Sequence, residues 1–242
     1  MKMNKTVLIT GASRGIGYST AQLFALNGWN TAVNYLHTPE PAMALAKQYG
    51  NVLPVQADVS KRDEVEKMTE QVMQTFGKID LLVNNAGIAQ EKLFTDITDD
   101  DWNQMFDVNV KSVFYCCQAV LPGMIARKSG KIVNISSVWG EKGASCEVHY
   151  SASKAAVIGL TKALAKEEGL SGITVNCVAP GVIDTDMNGH LDEETLSALQ
   201  EETPLGRLGT PQDIAQMIYF LASDAADFIT GQVIGVNGGF GE

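Results

Sequence analysis

Cysteine and histidine are scarce in this chain, with four of the first and three of the second among 242 residues. Cys116 and Cys117 are adjacent while Cys146 and Cys177 stand apart, so neither a CxxC redox pair nor a zinc spacing exists. His37 and His190 are isolated, no His/Cys/Asp/Glu cluster has metal-ligand spacing, and no metal is expected. The cysteines read instead as reduced, partly buried thiols of a cytosolic protein. Basic charge is short as well: 18 Lys and Arg face 28 Asp and Glu, for a net charge of −10 with no basic block. That balance argues against nucleic acid as a partner, while leaving room for a local cationic phosphate site. The opening MKMNKTVLITG runs straight into a strand-like segment, so no signal peptide is expected. No apolar stretch approaches membrane-spanning length, so a cytoplasmic location and no membrane partner are expected.

What is present is an ordinary globular balance, 45% hydrophobic and 19% charged, in a chain suited to one large α/β domain over 1–242. Strand-like apolar runs occur at 6–10, 31–35, 52–56, 79–83, 131–136, 174–178 and 232–236. Helical patterns occupy 15–26, 64–76, 102–126, 151–166 and 211–221. This alternation predicts a Rossmann-type, doubly wound three-layer fold with a seven-stranded parallel sheet. Pro122-Gly123 is expected to bend or separate the long helical stretch. The segment 184–210 breaks the rhythm with a charged, partly helical excursion beyond a strand's carboxyl end. It is a candidate substrate lid, with an ordinary surface loop as the equal alternative.

TGASRGIG at 10–17 lies between the first strand and the first helix. Gly11 permits a tight turn, Gly15 lets backbone approach a pyrophosphate, and Gly17 allows close packing of helix on strand. Phosphate would rest on the helix N-terminus, with Ser13, Arg14 and Ile16 completing the cofactor-facing loop. No Gly-Lys-Ser/Thr follows, which excludes a Walker A ATPase loop. An acidic residue at the end of the second strand would grip the ribose hydroxyls of NAD, yet the chain offers Val33, Asn34, Tyr35, Leu36 and His37. Arg14 can pair with an extra ribose phosphate, so the expected cofactor is NADP(H), with Asn34 among its contacts. Asp58, followed by Val59, is placed to accept from the adenine amino group, or else to cap a turn with Ser60. Asn84, Asn85, Ala86 and Gly87 end the fourth strand, either as a small-residue bed for the cofactor or as a simple turn.

Tyr150 and Lys154 stand four residues apart on one face of a helix. A phenol of pKa about 10 is a poor acid at neutral pH, but a lysine held beside it favours the ionised form. Such a pair can hand a proton to a developing alkoxide. Ser137, closing the fifth strand, can hold a substrate carbonyl while Tyr150 protonates it. Asn109 is polar inside an apolar helical pattern; it can carry a water-linked proton path toward Lys154, or bond a helix carbonyl. His149 adjoins Tyr150 but points elsewhere, to a pocket or an interface. Trp139 and Met187 line either a substrate cleft or the core.

In their order and spacing, TGASRGIG at 10–17, NNAG at 84–87, Asn109, Ser137, YSASK at 150–154 and PG at 180–181 carry a resemblance to the short-chain dehydrogenase/reductase family. The likeness covers essentially all 242 residues. It implies a catalytic set of Asn109, Ser137, Tyr150 and Lys154, with Lys154 also on the nicotinamide ribose. Pro180, Gly181, Ile183 and Thr185 would flank the nicotinamide. It further implies reduction of a ketone to a secondary alcohol with NADPH, and a homotetramer. In that tetramer helices near 101–127 and 150–169 pair across one interface, and the C-terminal strand region serves another.

Within the family, TGASRGIG and the stretches 122–137 and 180–187 are most similar to the 3-oxoacyl-acyl-carrier-protein reductases of fatty acid biosynthesis. That likeness implies acyl carrier protein as partner, with Arg127 and Lys128 as a basic docking spot near the cleft. The chain departs from the group at Glu167, Glu168 and Ser171, where a second basic docking residue is common. Trp139-Gly140 and 143–148 resemble instead the elongation factor P 5-aminopentanone reductases, which act on a ketone attached to a lysine of a translation factor. Glu147 could receive a cationic amine there, or simply favour a helix start. An NADP(H)-binding sensor or scaffold without turnover is the remaining alternative; the intact catalytic set stands against it.

Overall fold

A computed structural model describes residues 4–186, 189 and 192–241; Met187 and His190, singled out above, lie outside them. The chain alternates β1 (Thr6–Ile9), α1 (Gly15–Leu26), β2 (Asn30–Tyr35), α2 (Glu40–Gln48), β3 (Val52–Gln56), α3 (Arg62–Phe76) and β4 (Leu81–Asn84). It continues with α4 (Asp99–Phe106), α5 (Ser112–Arg127), β5 (Gly130–Ile135), α6 (Trp139–Lys142), α7 (Val148–Glu168) and β6 (Ile173–Pro180). α8 (Glu193–Glu201), α9 (Pro211–Ala222) and β7 (Val233–Val236) complete it. The strands form one sheet in the order β3-β2-β1-β4-β5-β6-β7, with every neighbouring pair parallel. This is the doubly wound seven-stranded fold that the alternation of the sequence predicts.

Its physical basis is two apolar layers. Val65, Met68 and Val72 of α3, Val113, Cys116 and Val120 of α5 and Val157 of α7 cover one face of the sheet. Ala21 and Phe24 of α1, Leu45 of α2 and Ile214, Ile218 and Leu221 of α9 cover the other. Strands such as Val7-Leu8-Ile9, buried at every position, need apolar cover on both faces, and crossover helices supply it. The winding reverses between β1 and β4. Loops leaving those two strands turn to opposite faces and open a crevice at the carboxyl edge, where open α/β sheets bind ligands.

Two expectations change here. α5 runs through Pro122 to Arg127 and ends only at Lys128, whose φ is 50°. The proline sits on the exposed side, so water can take the carbonyl of exposed Gln118 that the missing N–H leaves behind. It therefore separates nothing. Second, α4, a π-helical turn over Asp107–Lys111 and α5 form one run, Asp99–Arg127, that is long and apolar enough by length and composition to cross a membrane. The expectation that no stretch approaches that length does not hold. Its apolar content has a core assignment: Met105, Val113, Cys116, Cys117, Val120 and Met124 are buried in the protein.

Candidate functional site

Crevice and glycine loop are built by close approach. Gly11 takes φ of +60°, a region open to glycine at little cost. A Cβ on Gly17 would stand 2.6 Å from both Asn85 Nδ2 and Gly11 O, so only glycine lets α1 start this near β1 and β4. Thr10 Oγ1 accepts from the amides of Asn85 and Ala86, each at 3.0 Å, and Asn85 Nδ2 donates to the carbonyls of Thr10 and Gly11. The loops after β1 and β4 are thereby fused into one floor. α1 has neither an acidic residue in its first turn nor a side-chain cap, which keeps its N-terminal amides for an anion. Ser13 and Ile16 are half-buried beside it and Arg14 is exposed at its N-cap. These residues fit a dinucleotide pyrophosphate.

Asn34 and Asp58 both bond within the protein. Asn34 is buried, accepts from Gly11 N at 3.0 Å and donates to Ala57 O at 3.0 Å. Its side chain holds the glycine loop to the end of β3. Asp58 Oδ1 accepts from Ser60 N and Ser60 Oγ, and Oδ2 lies 3.4 Å from Lys61 Nζ, so the turn-capping alternative is the one visible. Val59 beside it is buried.

The candidate reacting groups converge at the ends of β4, β5 and the first turns of α7. Ser137, Tyr150 and Lys154 are all buried, and the Ser137 side chain is close enough to Tyr150 to favour its ionised form. Lys154 Nζ donates to Ile135 O at 3.0 Å and lies 5.6 Å from the centre of the Tyr150 ring. Burial pushes the phenol up to about 12; the Ser137 side chain opposes this and the Glu147 charge adds to it. The same burial pushes the Lys154 ammonium down to about 8, against an opposing contribution from Cys177. A lysine that lowers the phenol's pKa was the expectation. Desolvation of the phenolate dominates here, and Ser137 is the neighbour that opposes it.

Asn109 lies in the π-helical turn and is buried. It binds Ile88 twice, Oδ1 accepting from its amide and Nδ2 donating to its carbonyl, each at 2.9 Å, and Nδ2 also reaches Ser153 Oγ at 3.0 Å. The alternative of a helix carbonyl partner is thus replaced by the loop after β4. A side-chain carbon on Gly87 would stand 3.2 Å from Asn109 Oδ1 and 3.3 Å from Lys154 Nζ, which puts the three residues around one small space. Sequence reasoning missed Thr10, Ser136 and Ser153. Ser136 Oγ donates to Lys154 O and Ser153 Oγ to Tyr150 O, so both fix the α7 backbone from beneath. The signal was available in the second serine of YSASK and the first of Ser136-Ser137.

Pro180, Gly181, Ile183 and Thr185 leave β6 toward the crevice. Pro180 O accepts from Val138 N, Gly181 N donates to Val236 O, and Thr185 Cγ2 lies 3.5 Å from where Gly15 would carry a Cβ. The excursion beyond them has a closed neck: Ile183 pairs with Gly209, and Asp184 N donates to Gly209 O at 2.9 Å. Trp139 N donates to Ser137 Oγ, and its ring packs edge-on to Phe240. His149 is fully buried against Gln90. Arg127 and Lys128 are not near this cleft. They end α5 at the opposite edge of the sheet, where the Arg127 guanidinium donates to Ile79 O. A cavity of about 560 Å3 also lies at that edge, lined by Lys5, Trp29, Asp80 and Lys131 among others, away from the convergent hydroxyls. Among the described residues no group of acidic, His and Cys side chains could hold a metal ion.

A family model described as enoyl-(acyl carrier protein) reductase matches residues 11–241. The chain is 45% identical over 241 residues to the 3-oxoacyl-acyl-carrier-protein reductase FabG of Staphylococcus epidermidis, covering 98% of this chain and 99% of that one. The Staphylococcus aureus protein of the same name is 46% identical over 243 residues, 99% of each chain. That of Chlamydia trachomatis is 42% identical over 241 residues, 98% of this chain and 97% of its own. Joined to the parallel sheet, the glycine loop and the Ser137–Tyr150–Lys154 arrangement, these matches make the chain an oxidoreductase of the short-chain dehydrogenase/reductase family.

Proposed function

We propose that the protein reduces 3-oxoacyl-acyl-carrier-protein to the 3-hydroxyacyl form with NADPH. The observation that carries this reading is the burial of Tyr150, Ser137 and Lys154 together, with the Lys154 ammonium 5.6 Å from the Tyr150 ring, at the strand ends that also carry the glycine loop. Identity to reductases named for that substrate supports the choice of ketone. NADP(H) is favoured by exposed Arg14 at the α1 N-cap and by the absence of an acid at the end of β2. Bound along the crevice, the nicotinamide supplies hydride to the carbonyl carbon.

The chain's own part is position and field. Ser137 donates to the carbonyl oxygen, and Tyr150, still protonated well above neutral pH, gives its proton to that oxygen as negative charge develops. Lys154, charged at neutral pH, stabilises the phenolate left behind; its field acts across a buried, weakly screened space. Asn109 stands where a water could relay a proton to Lys154, around the space bounded by Gly87. The excursion beyond the Ile183–Gly209 bridge is the candidate substrate lid. The molecule works as a single domain over 1–242, in the cytoplasm, as a homotetramer.

One observation favours a second substrate. Glu147 bears electrostatically on Tyr150, which suits a cationic amine near the reacting carbonyl better than a fatty acyl chain. The ketone on a modified lysine of elongation factor P carries such an amine. NADPH oxidation measured with an acetoacetyl thioester and with 5-aminopentanone-modified elongation factor P separates the two. Turnover of the thioester alone is the expected result, turnover of the modified factor alone establishes the second reading, and turnover of neither removes both.

A further inference from the structure

Asp101, Gln90 and His149 form a hydrogen-bonded chain that the proposed chemistry leaves unused. Asp101 lies in the first turn of α4 in a capping box with Thr98, and its Oδ2 accepts from Thr98 and from the Lys92 ammonium. Its Oδ1 accepts from Gln90 Nε2 at 2.9 Å. An ionised carboxylate only accepts, so Gln90 must turn its NH2 to Asp101 and its Oε1 to His149, whose Nε2 lies 2.9 Å away. Nε2 then carries the imidazole proton. Nδ1 is left as a buried lone pair with no hydrogen-bond partner among the described residues. Burial lowers the pKa of this imidazole, with Asp101 pulling it up and Lys92 pushing it down, which keeps the ring neutral.

The chain of bonds joins three elements. Gln90 and Lys92 belong to the loop after β4, Asp101 to α4, and His149 to the first turn of α7, one residue before Tyr150. Lys92 N also donates to Cys146 O at 2.7 Å, just before that turn, where Cys146 takes φ of 62°. We propose that His149 is a positioning residue for Tyr150: held as its Nε2–H tautomer by Asp101 through Gln90, it locks the loop 88–93 and the start of α4 onto the first turn of α7. This rests on the reading of Tyr150 as proton donor to a ketone.

Nitrogen-15 spectra of the histidine-labelled full chain test the tautomer directly, with only three histidines to assign. The expected signal for His149 is a neutral ring protonated at Nε2, and Gln90→Leu should abolish that single state. A wild-type ring protonated at Nδ1 overturns the proposal. Kinetics test the positioning. His149→Gln places an amide N–H near Nε2 and should keep most of the wild-type kcat, whereas the amide of His149→Asn overlays Nδ1. His149→Asn should lose about 10- to 100-fold in kcat with the NADPH Kd unchanged. Equal kcat in the two variants overturns the proposal, as does a parallel loss of NADPH binding. A wild type that turns over no ketone counts against the reductase reading instead, and the tautomer spectra still decide the network.

Discussion

Burial acts on Tyr150 and Lys154 in opposite senses, because it penalises whichever form is charged. The phenol rises to about 12 and the ammonium falls to about 8. For stability, the depressed lysine contributes most above its ordinary 10.5 and loses that contribution as pH falls through about 8. The raised tyrosine contributes below 10 and loses its share as pH rises toward about 12. For catalysis, loss of the Lys154 charge removes the field that stabilises the phenolate, so kcat/KM for NADPH should fall above about pH 8. A pH series on the wild type and on Lys154→Arg checks this. The arginine variant, charged throughout, should lack that fall, and a wild-type profile flat from neutral to alkaline pH contradicts the assignment. Asn34 carries a different expectation. Asn34→Leu orphans Gly11 N and Ala57 O, so denaturant unfolding should show a loss of about 1–3 kcal/mol along with weaker NADPH binding. Weaker binding at unchanged stability would make Asn34 a direct ligand after all.

Loops at the carboxyl edge work as one element because Thr10, Asn85 and Gly17 stitch them. Gly17→Ala puts a methyl 2.6 Å from Asn85 Nδ2 and Gly11 O, and should cost about 1–3 kcal/mol and the cofactor site together. Retained NADPH affinity in that variant would show that the stitch can yield. Elements of this kind were legible where a residue type has one physical use. Glycine at 11 and 17, serine at the end of β5, and Tyr150 with Lys154 on one helix face are each tied to their neighbours by short-range geometry. Partners brought from far along the chain were not. Gln90 opposite His149, Ser153 under Asn109 and Asn34 under Gly11 depend on which loops the sheet brings together, and no spacing along the chain encodes that. Whether Pro122 separates α5 depends likewise on which face of the helix is exposed.

Across the whole molecule, the seven-stranded parallel sheet follows from the alternation of apolar runs, and its order places the glycine loop, Ser137, Tyr150 and Lys154 at one edge. Arg127 and Lys128 fall at the other edge, so carrier docking near the cleft of the same chain does not rest on them. The long apolar run Asp99–Arg127 is a core helix by its buried face, yet its exposed face keeps Trp102, Phe114 and Ile125 partly open. Those side chains lie in the helices expected to pair in a tetramer, and sizing by light scattering should give about four times the 26.0 kDa chain. A monomer at working concentration would remove that expectation without touching the chemistry. The chemistry itself rests on Tyr150 as proton donor to a ketone. Tyr150→Phe, assayed by NADPH oxidation with an acetoacetyl thioester alongside NADPH binding, tests it most directly. The account predicts a fall in kcat of about 10²- to 10⁴-fold with the NADPH Kd nearly unchanged, and turnover near the wild-type rate would contradict it.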